Sequence, residues 1–102
     1  MGIDIEFRDN LGHALDVLGD PQNVFRDLVR RASSGRFPLV RWVDPYGDTY
    51  FSSLQMEGLM PELEDLSSLE LTSDERAFVD RLRQMAKACR AGVHTFLRFR
   101  GD

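Results

Sequence analysis

The segment from Thr72 to Gly92 most constrains what this chain can fold into. Thr72 and Glu75 have the spacing of a capping box, in which each side chain bonds the other residue's backbone amide. Asp74 and Glu75 suit the positive end of a helix dipole, Lys87 and Arg90 suit the negative end, and Gly92 can terminate the helix. Between these signals Phe78, Leu82, Met85 and Cys89 recur at spacings of four, three and four, which lines one helical stripe with apolar side chains. A helix with one apolar stripe must lay it against another apolar surface.

Both ends of the chain supply such a surface. Ile3, Ile5 and Phe7 alternate with Asp4, Glu6 and Arg8, and Val93, Thr95, Leu97 and Phe99 alternate with His94, Phe96, Arg98 and Arg100. That period of two describes strands with one buried and one solvated face. The turn formers from Asp9 to Gly12 imply that His13 to Val17 folds back as a second, short strand with Leu15 and Val17 inward. Asp20 and Pro21 mark the start of a helix over Pro21 to Ser34, with Gly35 as its cap. Phe37 to Val43 reads as a strand that turns through Asp44 to Asp48 and pairs with Thr49 to Phe51. Ser52 and Gln55 form a second capping box. Gly58 and Pro61 imply a short turn of helix, a break, and a further helix burying Leu63 and Leu66. The expected fold is a single α+β domain over residues 1–102, with a mainly antiparallel sheet of about four strands and about three helices packed on one face.

A chain of 102 residues with 42% apolar content can build one core, but a deep enclosed active site is harder to fit at this size. Seventeen acids against thirteen bases leave a net charge of −4, the wrong sign for bulk attraction to nucleic acid or anionic lipid. The single cysteine, Cys89, allows no intrachain disulfide, and neither a leader nor an apolar stretch of spanning length is visible. A cytoplasmic setting is therefore expected. No cofactor or metal is expected, because Asp44 and Asp48 alone offer too few oxygen ligands for a cation.

The stretch VDPYGDTYF, Val43 to Phe51, carries the candidate binding residues Arg41, Trp42, Asp44, Tyr46, Asp48, Thr49 and Tyr50, with Gln55 shortly after. Turn chemistry explains part of it: Pro45 fixes φ, the Asp44 carboxylate can bond the backbone two residues on, and Gly47 can supply a positive φ. Trp, Tyr and Arg on one hairpin also match the residues that most often anchor protein interfaces. A second feature is an acidic patch, Glu57, Glu62, Glu64 and Asp65, inside a segment from Glu57 to Glu75 that contains seven acids and no base. Such a patch steers a cationic partner.

The string DPYGDTYFSSLQ, Asp44 to Gln55, together with the terminal FRGD, resembles a group of small bacterial proteins of uncharacterised function that share a DPYGDTxFxxLQ core and a C-terminal FxGD. The resemblance implies no catalytic residues, but it implies that Asp44, Tyr46, Asp48 and Gln55 belong to one unit.

The leading expectation is a non-enzymatic protein-interaction domain whose acidic surface binds a basic partner protein, an immunity-like role being one version. Two alternatives stand beside it. One is a small-molecule or nucleotide-handling enzyme or binding domain using Asp44, Asp48, Thr49 and His94. The other is RNA binding through Phe96, Arg98 and Arg100, which lacks any recognisable RNA-binding string. Oligomeric state is left open, with the C-terminal strand as a candidate pairing edge.

Overall fold

A computed structural model describes residues 2–31 and 38–101. Its elements run β1 (Asp4–Arg8), β2 (Ala14–Leu18), α1 (Val24–Arg31), a 3₁₀ turn (Val40–Trp42), β3 (Asp48–Ser52), a second 3₁₀ turn (Ser53–Gln55), α2 (Met56–Ser67), α3 (Ser73–Ala91) and β4 (Phe96–Arg100). The four strands form one antiparallel sheet in the order β2-β1-β4-β3, so the fold is α+β as expected. The chain termini meet in the middle of the sheet, where β1 pairs with β4. The C-terminal strand is therefore interior, and the edges are β2 and β3.

One sheet face is covered. Ile5, Phe51, Leu97 and Phe99 are buried there with Phe25 and Leu28 of α1, Leu59, Leu63 and Leu66 of α2, and Phe78, Leu82, Met85 and Cys89 of α3. Phe99 lies at the centre of this core, its ring 5.3 Å from Phe25 and 5.5 Å from Phe51. The stripe on α3 is buried as its spacing predicts, and both halves of the Thr72–Glu75 capping box form.

Several expectations need correction. The helix expected from Pro21 begins at Val24, because the buried Asp20 carboxylate reaches past a turn to accept from the amides of Val24 (2.7 Å) and Phe25 (2.9 Å). The expected helix end at Ser34 and cap at Gly35 lie outside the described residues, as does Phe37. The strand expected up to Val43 is replaced by the 3₁₀ turn Val40–Trp42, and β3 pairs with β4 instead. Leu15 and Val17 are exposed rather than inward. A register irregularity between Phe7 and Arg8 shifts the phase, setting Val17 opposite Glu6 and Asp16 opposite Phe7. The break expected around Pro61 is absent: α2 runs through it. Proline at that position forfeits only one helical hydrogen bond, while Met56 and Leu59 before it and Leu63 and Leu66 after it are all seated in the core.

Candidate functional site

The loop before β3 is built from its own polar groups. The Asp44 carboxylate accepts from the Tyr46 amide at 2.9 Å, and the Thr49 hydroxyl accepts from the Asp44 amide at 2.9 Å. Gly47 does not take the positive φ that turn chemistry suggests; only Gly12 does so among the described glycines. Its smallness serves close approach instead, since a Cβ there would stand 2.8 Å from Asp44 Oδ2.

The far end of the chain closes the unit. The Gly101 amide donates to the Gly47 carbonyl at 2.7 Å. A Cβ on Gly101 would meet Gly47 O at 2.5 Å and both Asp44 O and Gly47 N at 2.6 Å. The internal DPYGDT string and Gly101 are thus two sides of one contact, with Thr49 opposite Phe99 in the β3–β4 ladder. Gln55 belongs to the same run: its side chain accepts from the Ser52 amide at 2.8 Å and completes the capping box at the end of β3.

Asp44 and Asp48 do not converge. Asp44 is engaged in the turn, whereas Asp48 lies on the open sheet face and pairs with Arg98 at 2.7 Å. A shallow apolar hollow of about 180 Å³ beside Pro45 is lined by Ile3, Phe25, Val29 and Val43 with Arg26 and Arg30, and none of Asp44, Asp48 or Thr49 lines it. That hollow is smaller than the roughly 300–1,000 Å³ of usual ligand pockets. Among the described residues no group of three or more His, Cys, Asp or Glu side chains is placed to hold a metal ion. Cys89 is buried, and burial pushes its thiol up, away from the thiolate that nucleophilic chemistry needs. His94 is exposed in the loop before β4.

The open sheet face carries a mixed ionic network. Glu6 accepts from Arg8 at 2.7 Å and from Arg98 at 3.3 Å, with Arg100 at 4.0 Å. Burial alone would raise the Glu6 carboxyl, but the Arg8 hydrogen bond and the charges of Arg98 and Arg8 outweigh it and hold the group below its ordinary range. Tyr50 and Phe96 pack beside this network at a tilt of 58°, with ring centroids 5.5 Å apart. The arginines proposed for RNA contacts therefore spend their charge on Glu6 and Asp48, and a phosphate would have to displace these carboxylates.

Glu62 ties the 3₁₀ turn to α2, a role the sequence did not reveal. Glu62, read as part of the acidic patch, is only 4% exposed. Its carboxylate accepts from the amides of Leu39 (3.1 Å) and Val40 (2.9 Å), groups that a strand would have used in a ladder. Gly58 lies against the same segment, with a Cβ there only 3.2 Å from Leu39 Cδ1. The 3₁₀ turn is thereby docked on α2 and presents Trp42 at 69% exposure, with the Arg41 guanidinium 5.2 Å above its ring. Glu57, Glu64 and Asp65 project from the side of α2 opposite its buried stripe, and none has an ion-pair partner among the described residues. Tyr46, also exposed, accepts from Arg26 Nη2 at 3.1 Å and lies under that guanidinium. Arg26 was not foreseen, since nothing local links an exposed helical arginine to a tyrosine twenty residues later.

No helix among the described residues is long and apolar enough to cross a membrane. No family model, curated protein or solved structure matches this chain, so its geometry carries the functional argument.

Proposed function

We propose that this chain is a non-enzymatic protein-binding domain that presents Trp42, Arg41 and Tyr46 as anchors and the α2 acids Glu57, Glu64 and Asp65 as an electrostatic rim, for a partner protein of basic character. The observation that supports this reading best is the buried Glu62 carboxylate. It docks the Trp42 turn on α2, the helix whose opposite side carries the unpaired acids, so an aromatic anchor and an acidic side distant in sequence are held on one rigid element. Exposed tryptophan, tyrosine and arginine on a fixed backbone bind with little ordering cost, and unpaired acids raise the encounter rate with a cation. An immunity-like role, in which a small acidic domain covers the basic site of another protein, is the concrete form of this function.

The test is capture from the source lysate on the immobilised domain at low and moderate salt, with Trp42→Ala and the triple variant Glu57→Gln, Glu64→Gln, Asp65→Asn as controls. A basic protein should be retained by the wild type, lost with Trp42→Ala, and weakened by both salt and the triple variant. Retention that neither variant affects would place the interface elsewhere.

A further inference from the structure

The two edges of the sheet are treated differently. On β2 the Val17 amide is taken by the Asp16 carboxylate at 2.9 Å, and that carboxylate is anchored to Arg81 of α3 at 2.6 Å. This blunts the edge, because a strand docking there would meet an occupied donor and a charged pair.

On β3 the alternation of the ladder leaves different groups free. Gly101 bonds Gly47 and Ser53 bonds the Thr95 carbonyl at 3.0 Å, so residues 47, 49, 51 and 53 turn their backbone groups toward β4. Asp48, Tyr50 and Ser52 turn theirs to the outside. The Ser52 amide is occupied by Gln55, but among the described residues nothing bonds the amides of Asp48 and Tyr50. All three residues are exposed, and Tyr50 is half-exposed with its ring on the open face. The edge lacks proline, lysine and a bulge, the usual obstacles to pairing.

We infer that a second copy of this chain pairs with the free edge of β3, antiparallel and two-fold symmetric about Tyr50, joining the two four-stranded sheets into one. In this register each Tyr50 exchanges both backbone bonds with the Tyr50 of the second copy. Asp48 lies opposite Ser52 across the axis, where the Gln55 cap takes the Ser52 amide and the 3₁₀ turn takes its carbonyl, so the backbone bonds between copies come from the Tyr50 pair. The side chains fit: tyrosine meets tyrosine, and Asp48 meets Ser52 rather than another acid, so no like charges face each other. A two-fold axis makes the contact self-complementary and closed. A five-residue edge buries little area, so the association is weak and concentration-dependent. The interface is separate from Trp42 and the α2 acids, and the inference stands or falls independently of partner binding.

The experiment is sedimentation equilibrium or light scattering over a wide concentration series. The wild type should move from the 11.7 kDa monomer mass toward twice that value. Ser52→Asp keeps a good helix-capping residue but sets two pairs of carboxylates against each other, and should weaken dimerisation roughly tenfold. Adding Asp48→Asn to that variant should restore it. Tyr50→Pro removes an amide that β4 does not use and should abolish the dimer, with circular dichroism verifying the fold. If Tyr50→Pro does not fold, the Ser52→Asp pair of variants decides alone. A wild type that stays monomeric throughout, a dimer insensitive to Ser52→Asp, or failure of Asp48→Asn to rescue it overturns the inference.

Discussion

Removing the Glu62 carboxylate should loosen the candidate interface and destabilise the whole domain. In Glu62→Ala two backbone amides, Leu39 and Val40, lose an acceptor that sits at 4% exposure. Each buried donor left unpaired costs about 1–3 kcal/mol, and partial entry of water at the turn favours the lower half of that range, so the expected loss is about 3 kcal/mol. Glu62→Gln keeps one carbonyl oxygen but turns an amide group toward a backbone donor, and should lose about 1 kcal/mol. With a urea dependence of about 1 kcal/mol per molar for a domain of this size, the unfolding midpoint should fall by about 3 M in the alanine variant and about 1 M in the glutamine variant. Urea titration followed by circular dichroism measures this. Trp42 is the only tryptophan, so its fluorescence anisotropy reports the turn separately. It should drop in Glu62→Ala before global unfolding. A loss below about 1 kcal/mol in Glu62→Ala, or equal losses in the two variants, refutes the argument that this carboxylate secures the turn.

Two further outcomes follow from the contacts described. Gly101→Ala places a Cβ within 2.6 Å of three backbone atoms of the Asp44–Gly47 loop and should cost about 1–3 kcal/mol, seen as a fall of about 5–15 °C in melting temperature; an unchanged melting temperature would mean that the terminus does not clamp the loop. The carboxyls of Glu6, Asp16 and Glu75 are held below their ordinary values in the folded chain, for Asp16 by the Arg81 hydrogen bond and for Glu75 by the Thr72 amide and Arg31. The unfolded chain then binds more protons in the acid range, so their contribution is complete above roughly pH 5 and is lost as pH falls through the folded values. Stability measured against pH should show this acid limb, and Glu6→Gln should flatten it; an unchanged limb refutes the assignment.

Much of the fold was legible because the signals are local. The caps and stripe of α3, and the alternation in β1 and β4, depend on residues a few positions apart. The candidate site was legible only in part. The VDPYGDTYF stretch is a turn that runs into β3, and Asp44 bonds the backbone as expected, but Gly47 takes no positive φ and the turn is closed by Gly101, half the chain away. Trp42 could have been core or surface on sequence alone. The burial of Glu62 did leave a trace, since it falls in helical phase with Leu59 and Leu66, yet its charge and acidic neighbours argued for the surface.

The sequence by itself determined the α+β class, the two capping boxes and the stripe that α3 buries, because each arises from hydrogen bonds and side-chain periods within a turn or two of the chain. Only the tertiary structure decided that β4 lies inside the sheet and β3 at its edge, that Pro61 leaves α2 unbroken, and that Glu62 turns inward to hold the Trp42 turn. In each case a long-range partner, a neighbouring strand, a core or a pair of backbone amides, supplied an interaction stronger than the local preference it overrode.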